Sequence, residues 1–164
     1  MQLQFTVCHF RDLSLMELHD LLWLRNEVFV VGQRITCEPE VDGYDPECTH
    51  VIGRTHEGRV VATARLFLGR DPVKVGRIAV ARDLQGQGLG VGLMAAVHEV
   101  IGDRAGAMSA QAYLERWYGR LGWQRVGEPS EEAEIPHIAM VRPRLGERGA
   151  TDSGAASVLS VANR

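Results

Sequence analysis

No run in this sequence approaches the roughly 18 to 20 apolar residues that a membrane-crossing helix needs. Residues Met1 to Phe10 alternate polar with apolar side chains instead of placing an apolar block behind a charged n-region. The chain therefore reads as a cytoplasmic protein with no membrane partner. Positive charge is not in excess either: the formal net charge is −3 and the pI near 6.1. With no overall basic field, nucleic acid is not an expected partner. Cysteine is scarce and odd in number, Cys8, Cys37 and Cys48, so a disulfide framework is not indicated. Cys37, Cys48 and His50 lack the close Cys-x-x-Cys pair that pins most structural zinc sites, and no metal is expected. Lysine is almost missing, Lys74 standing alone among 18 basic residues; a GC-rich coding sequence explains that as well as any function.

What is present fits one ordinary domain. The chain has 164 residues, 45% of them hydrophobic and 24% charged, enough for a single buried core. Leu3 to Cys8 alternates like a strand. Leu15, Leu18, Leu22, Arg25 and Phe29 then fall at steps of three and four behind a Ser14/Glu17 capping box, which predicts an amphipathic helix from Leu15 to about Val30. Gly32 to Thr49 holds two prolines and five acidic residues with no sustained period. It reads as a long irregular segment with one short helical turn, and such a loop in a compact domain is usually functional.

His50 to Arg54 and Arg59 to Leu68 read as strands around a Glu57-Gly58 turn, and Val73 to Val80 as a third after the turn residues Gly69 to Pro72. A second helix spans roughly Gly90 to Ile101, with Leu93, Met94, Val97 and Ile101 on its apolar face. A short strand at Met108 to Gln111, a helix at Leu114 to Leu121, and strands at Gln124 to Gly127 and Ile135 to Arg142 follow. The order β-α-β-β-β-α-β-α-β-β is an α+β arrangement around one mixed, mostly antiparallel sheet flanked by helices. The domain is expected to occupy residues 1–145. Residues 146–164 are a low-complexity tail expected to be mobile.

The sharpest local signal is Gln85-Gly86-Gln87-Gly88-Leu89-Gly90, set between a strand and a helix. Glycines there permit a tight turn and close approach of a ligand, and the N–H groups at a helix start attract an anion such as phosphate. A Walker loop is excluded because no Lys-Ser/Thr pair follows any of these glycines. A Rossmann turn fits only Gly90, Gly92 and Ala95, which lie too late, inside the predicted helix.

Gln85-x-x-Gly88-x-Gly90 behind Val75 to Val80 resembles the acyl-CoA pyrophosphate loop of the GNAT acetyltransferase superfamily, (Q/R)xxGx(G/A). Trp117-Tyr118-Gly119-Arg120-Leu121-Gly122-Trp123 is similar to that superfamily's second signature, (F/Y)YxxxG(F/W). Within it the chain most resembles the ElaA-type acyltransferases, through Leu24 to Val31, Asp42-Gly43-Tyr44-Asp45, Ser109-Ala110-Gln111-Ala112 and Ile135 to Met140. It departs from them at Gly32, where Glu is common, and at Tyr113, where His is common. The resemblance spans roughly Gln2 to Pro143.

That resemblance implies a CoA-dependent N-acyltransferase, with acetyl-CoA as donor and an amine of a small molecule or peptide as acceptor, working as a monomer or homodimer. A non-catalytic acyl-CoA-binding module on the same fold is the alternative. The donor's pantetheine would pair with the main chain of Ile78, Ala79 and Val80. The loop Gln85, Gly86, Gln87, Gly88, Leu89 and Gly90 would hold the pyrophosphate. Tyr118, beside the cofactor, is the implied general acid for the departing thiolate, with Tyr113 as a weaker second. His137 is the candidate base, alongside Glu131, Glu132, Glu134, Asp42 and Glu27. Arg25, Glu27, Asp42 and Glu132 are the candidate acceptor-binding residues, with Arg25 and Arg65 in structural or orienting roles.

Overall fold

The computed structural model describes residues 1–132 and 135–146. Seven strands and three α-helices follow the order read from the sequence: β1 (Gln4–His9), α1 (Leu15–Arg25), β2 (Thr49–Arg54), β3 (Val60–Phe67), β4 (Val73–Val80), α2 (Leu89–Ile101), β5 (Gly106–Gln111), α3 (Glu115–Arg120), β6 (Gln124–Glu132) and β7 (Ile135–Arg142). The hydrogen-bonding order of the strands is β1-β2-β3-β4-β5-β7-β6. Among the described residues no helix is long and apolar enough to cross a membrane.

The chain divides into two compact units, one of Met1–Phe67 with Arg77–Val100, the other of Leu68–Gly76 with the residues from Ile101 onward. In the first unit β1, β2 and β3 form an antiparallel meander, with Val51 opposite both Val7 and Ala64. Every residue of β3 is buried, as expected of a strand covered on both faces. α1 starts at the predicted capping box: Ser14 accepts from the Glu17 N–H while Glu17 accepts from the Ser14 N–H. Its buried face is Leu21, Leu24 and Arg25, continued by Val28, while Leu15 is 86% exposed. The predicted stripe is thus rotated. Leucines crowd the helix, and an overlapping three-and-four pattern through Leu21, Leu24 and Val28 supplies the core instead. Beyond Arg25 the helix widens into a π-helical turn, Asn26–Gly32.

In the second unit β5 pairs antiparallel with β7, and β7 with β6. The β4–β5 ladder is parallel and joins Val73 to Gly106 and Lys74 to Ala107. Trp123, Met108, Ile138 and Met140 are almost wholly buried. A Cβ on Gly106 would stand 2.8 Å from the Trp123 ring, so glycine makes room for the indole. β6 is longer than predicted. It resumes pairing after a bulge between Val126 and Ser130, where Gly127 takes φ 74°. The bulge carries Glu131 and Glu132, expected in a loop, into the strand. Glu134 and residues 147–164, nearly all of the expected tail, lie outside the described residues.

Candidate active site

β4 leads into the glycine loop. Past Val80 the chain makes a short 3-10 turn, Arg82–Leu84, fastened to β3 by the Ala81 N–H donating to the Val61 carbonyl at 2.8 Å. Gln85 folds back to donate to the Val80 carbonyl at 3.0 Å. Gly86 and Gly88 then take φ 78° and 79°, a left-handed conformation that side chains resist. A Cβ built on either would meet nothing within 4 Å. Glycine is therefore required here by backbone conformation, and the space above both residues is open. Buried Leu89 anchors the start of α2, where the Val91 N–H donates to the Gly88 carbonyl at 3.1 Å; a helix start of this kind favours an anion. Ala79 is buried, and Ile78 and Val80 are half-buried, on the β4 stretch that follows the two-pair ladder with β5.

A cleft of about 830 Å3 lies in the same unit. Asp20, Trp23 and Glu27 line it from α1 and the π-helical turn, and Ala81, Arg82, Asp83 and Gln85 from the loop after β4. Asp83 is held by Arg59 at 2.7 and 2.9 Å. Of the acceptor candidates, Glu27 stands in this cleft.

Arg25 and Asp42 belong to a different constellation, which pins the irregular segment between Gly32 and Thr49. Three arginines from three elements reach three carboxylates of that segment. Arg25 of α1 donates through Nε to Glu40 and through Nη1 to Asp45 at 2.7 Å. Arg65 of β3 grips Asp42 with both Nη atoms, at 2.7 and 2.8 Å, and reaches Asp45 at 3.2 Å. Arg77 of β4 donates to Glu40 at 3.0 Å and to Asp42 at 3.2 Å. Arg25 has no exposed surface, so it positions Glu40 and Asp45 instead of meeting an acceptor itself. Burial pushes Asp42 up, but the Arg65 hydrogen bonds, the Tyr44 N–H and the charges of Arg65 and Arg77 outweigh it and hold the carboxyl down at about 2. An Asp so firmly ionised and paired is a poor proton acceptor. His50, fully buried beside Asp45 at 3.8 Å, is pushed down by burial and so stays neutral. Cys48 donates its thiol to the Tyr44 carbonyl at 3.0 Å, and burial pushes it up to about 12, which leaves it an unreactive thiol.

The remaining candidates stand in the second unit. Tyr118 lies on α3, 5% exposed, its ring edge-on to Trp117 at 4.8 Å. Burial, and then the neighbouring Tyr113, push its phenol above the ordinary value, so the proton stays in place. Tyr113 itself is 74% exposed. On β7 the His137 Nδ1 lies 2.7 Å from the Ile135 carbonyl. A carbonyl can only accept, so Nδ1 carries a proton and Nε2 is the ring nitrogen not engaged by it. His137 sits opposite Gln111 of β5 and Ser130 of β6. Ser109, two residues from Gln111, shares its face of the sheet and donates to Glu132 at 2.6 Å. His137, Gln111, Ser109 and Glu132 thus form one polar face. The run Ser109 to Ala112, quoted for the resemblance, was the sequence signal for Ser109 and Gln111, as Asp42 to Asp45 was for Asp45, while Glu40 and Arg77 had no local signal.

A family model for the acetyltransferase (GNAT) domain matches residues 42–143. The chain belongs to the GNAT acetyltransferase family. Relatives agree across most of its length. A UPF0039 protein of Mycobacterium tuberculosis is 38% identical, over 84% of this chain and 91% of its own. The crystal structure of an acyl-CoA N-acyltransferase from Pseudomonas aeruginosa is 38% identical with a TM-score of 0.76, covering 86% of this chain and 99% of that one. The Escherichia coli ElaA crystal structure is 33% identical with a TM-score of 0.78, over the same shares. GNAT proteins take an acyl group from a CoA thioester, and the family resemblance read from the sequence is shown to be membership. The α+β fold with a mostly antiparallel sheet is likewise the GNAT fold, and the chain is an enzyme of the acyl-CoA N-acyltransferase class.

Proposed function

We propose that this GNAT protein transfers an acetyl group from acetyl-CoA to an amine of a small molecule or peptide, by direct attack in a ternary complex. The observation that carries this reading is the left-handed pair Gly86 and Gly88 before the start of α2, with open space above both. It suits a pyrophosphate held by main-chain N–H groups. The pantetheine would run beside Ile78 to Val80, whose main chain can pair with its amides as a strand would, and an N–H there would polarise the thioester carbonyl. Acetyl as the group transferred rests on the description of the family.

In the proposed step the amine nitrogen bonds to the thioester carbon, the carbon–sulfur bond breaks, and the CoA sulfur leaves with the bonding pair. Tyr118 gives that sulfur its hydroxyl proton. The proton lost by the acceptor nitrogen goes to Nε2 of His137, directly or through water. Neither residue forms a covalent intermediate.

Acetyl-CoA raising the melting temperature, followed by amine-dependent release of thiol, tests the assignment; binding without turnover on a broad amine panel would leave a binding module in its place. Tyr118→Phe keeps the ring against Trp117 and removes the proton. We expect kcat to fall about a hundredfold with acetyl-CoA affinity changed only a few-fold. A loss of only a few-fold would make Tyr118 a packing residue.

A further inference from the structure

We propose that Arg77 is a positioning residue for acyl transfer, its guanidinium locking a left-handed turn of β4 that aims the main chain of Ile78 to Val80. The inference rests on the reading that the donor runs along those three residues. Arg77 has φ 50° in the middle of a strand, a conformation a β-carbon disfavours. Its neighbour Gly76 could adopt it without steric cost, yet carries no such φ. The strain sits on the residue whose side chain can be held.

The holding groups are themselves fixed. Arg77 Nε donates to Glu40 at 3.0 Å and an Nη to Asp42 at 3.2 Å. Glu40 is also bound by buried Arg25, and Asp42 by both arms of Arg65. Arg77 is therefore tied, through two carboxylates, to α1 and β3. A left-handed residue in a strand re-aims the peptide that follows it, so the direction of the N–H and C=O groups from Ile78 onward depends on this φ. Asp42, expected to bind the acceptor, becomes in this account the anchor of that turn. The cost of losing it falls on catalysis, because a donor misplaced by about 1 Å can slow a reaction about a hundredfold.

Three variants separate this role from simple support of the fold. In Arg77→Ala the backbone is released while the β-carbon remains. Its kcat should fall at least about tenfold, with CoA affinity within about threefold of wild type, since Gln85 to Gly90 is untouched. Arg77→Gly also lacks the guanidinium but adopts a positive φ without strain, and should recover most of the lost kcat. Asp42→Asn, which leaves β4 unaltered, should show the same kcat-only loss to a smaller, few-fold degree, and it keeps the test open if Arg77→Ala does not fold. A wild-type kcat in Arg77→Ala, or Arg77→Gly no better than Arg77→Ala, would overturn the inference alone. Gly88→Asp titrating acetyl-CoA like wild type would instead remove the donor reading beneath it.

Discussion

The first unit holds two irregular segments, and they are kept in place by opposite means. Between Gly32 and Thr49 the chain has no strand ladder to satisfy it, yet each of Glu40, Asp42 and Asp45 is gripped by arginines from α1, β3 or β4. Between Val80 and Leu89 the loop is mostly exposed, its two left-handed glycines facing open space. The first segment meets its counter-charges on arginines of the surrounding elements; the second, in the proposed reading, meets them on a ligand. Irregular backbone in a small domain can thus be fixed from within or offered outward, and burial of the partnering groups tells the two apart.

The difference is easiest to break at Arg25. Replacing it by alanine leaves Glu40 with Arg77 and Asp45 with Arg65 but removes the fully buried guanidinium that joins the two carboxylates, and we expect a loss of about 3 kcal/mol in stability. A change under about 1 kcal/mol on thermal melting would show that the segment does not depend on its arginines. The converse change, Gly88→Asp, should leave the fold within about 1 to 2 kcal/mol of wild type, the cost of a side chain at positive φ. It should nevertheless weaken acetyl-CoA binding at least about tenfold by setting a carboxylate beside the pyrophosphate, measured by titration. A smaller effect is expected from pH. Asp42 has a depressed folded value, so its contribution is present above the ordinary carboxylate value of 3.8 and is lost as pH falls through about 2. The stability gap between wild type and Asp42→Asn should close over that interval; a gap constant with pH would mean that packing, not charge, holds the segment. The smallest effect belongs to Arg59→Ala. Its pair with Asp83 at the loop is more than half exposed, and the melting temperature should move by no more than about 2 °C.

The glycine loop was legible because everything it needs is local: a strand, the residues Gln85 to Gly90, and a helix with one clear apolar face. α2 buries Leu93, Met94, Val97 and Ile101 as its spacing predicts. α1 was less legible because nearly every position that could face inward is apolar, and the choice of Leu21, Leu24 and Val28 was made by the sheet it packs on. The arginine network was invisible for a different reason. Arg25 meets Asp45 across 20 residues and Arg77 meets Glu40 across 37, separations at which no periodicity operates, so the segment read as irregular and only Asp42 stood out, as a candidate base and acceptor contact. The extension of β6 was missed because glycine, proline and three glutamates suppress any strand signal, and pairing with β7 overrides that composition.

That same composition bears on how the protein behaves when crowded. β6 ends the sheet of the second unit, and an open sheet edge is a template on which further chains can add. Here the edge is interrupted by the bulge after Val126, broken again by Pro129, which has no N–H to give, and lined by Glu128, Glu131 and Glu132. A second molecule offering a strand would meet a kink, a missing donor and a row of like charges. Glu131 and Glu132, read as candidate bases, also put charge along this edge, and shortening the bulge or neutralising the row should be seen as turbidity in concentrated protein.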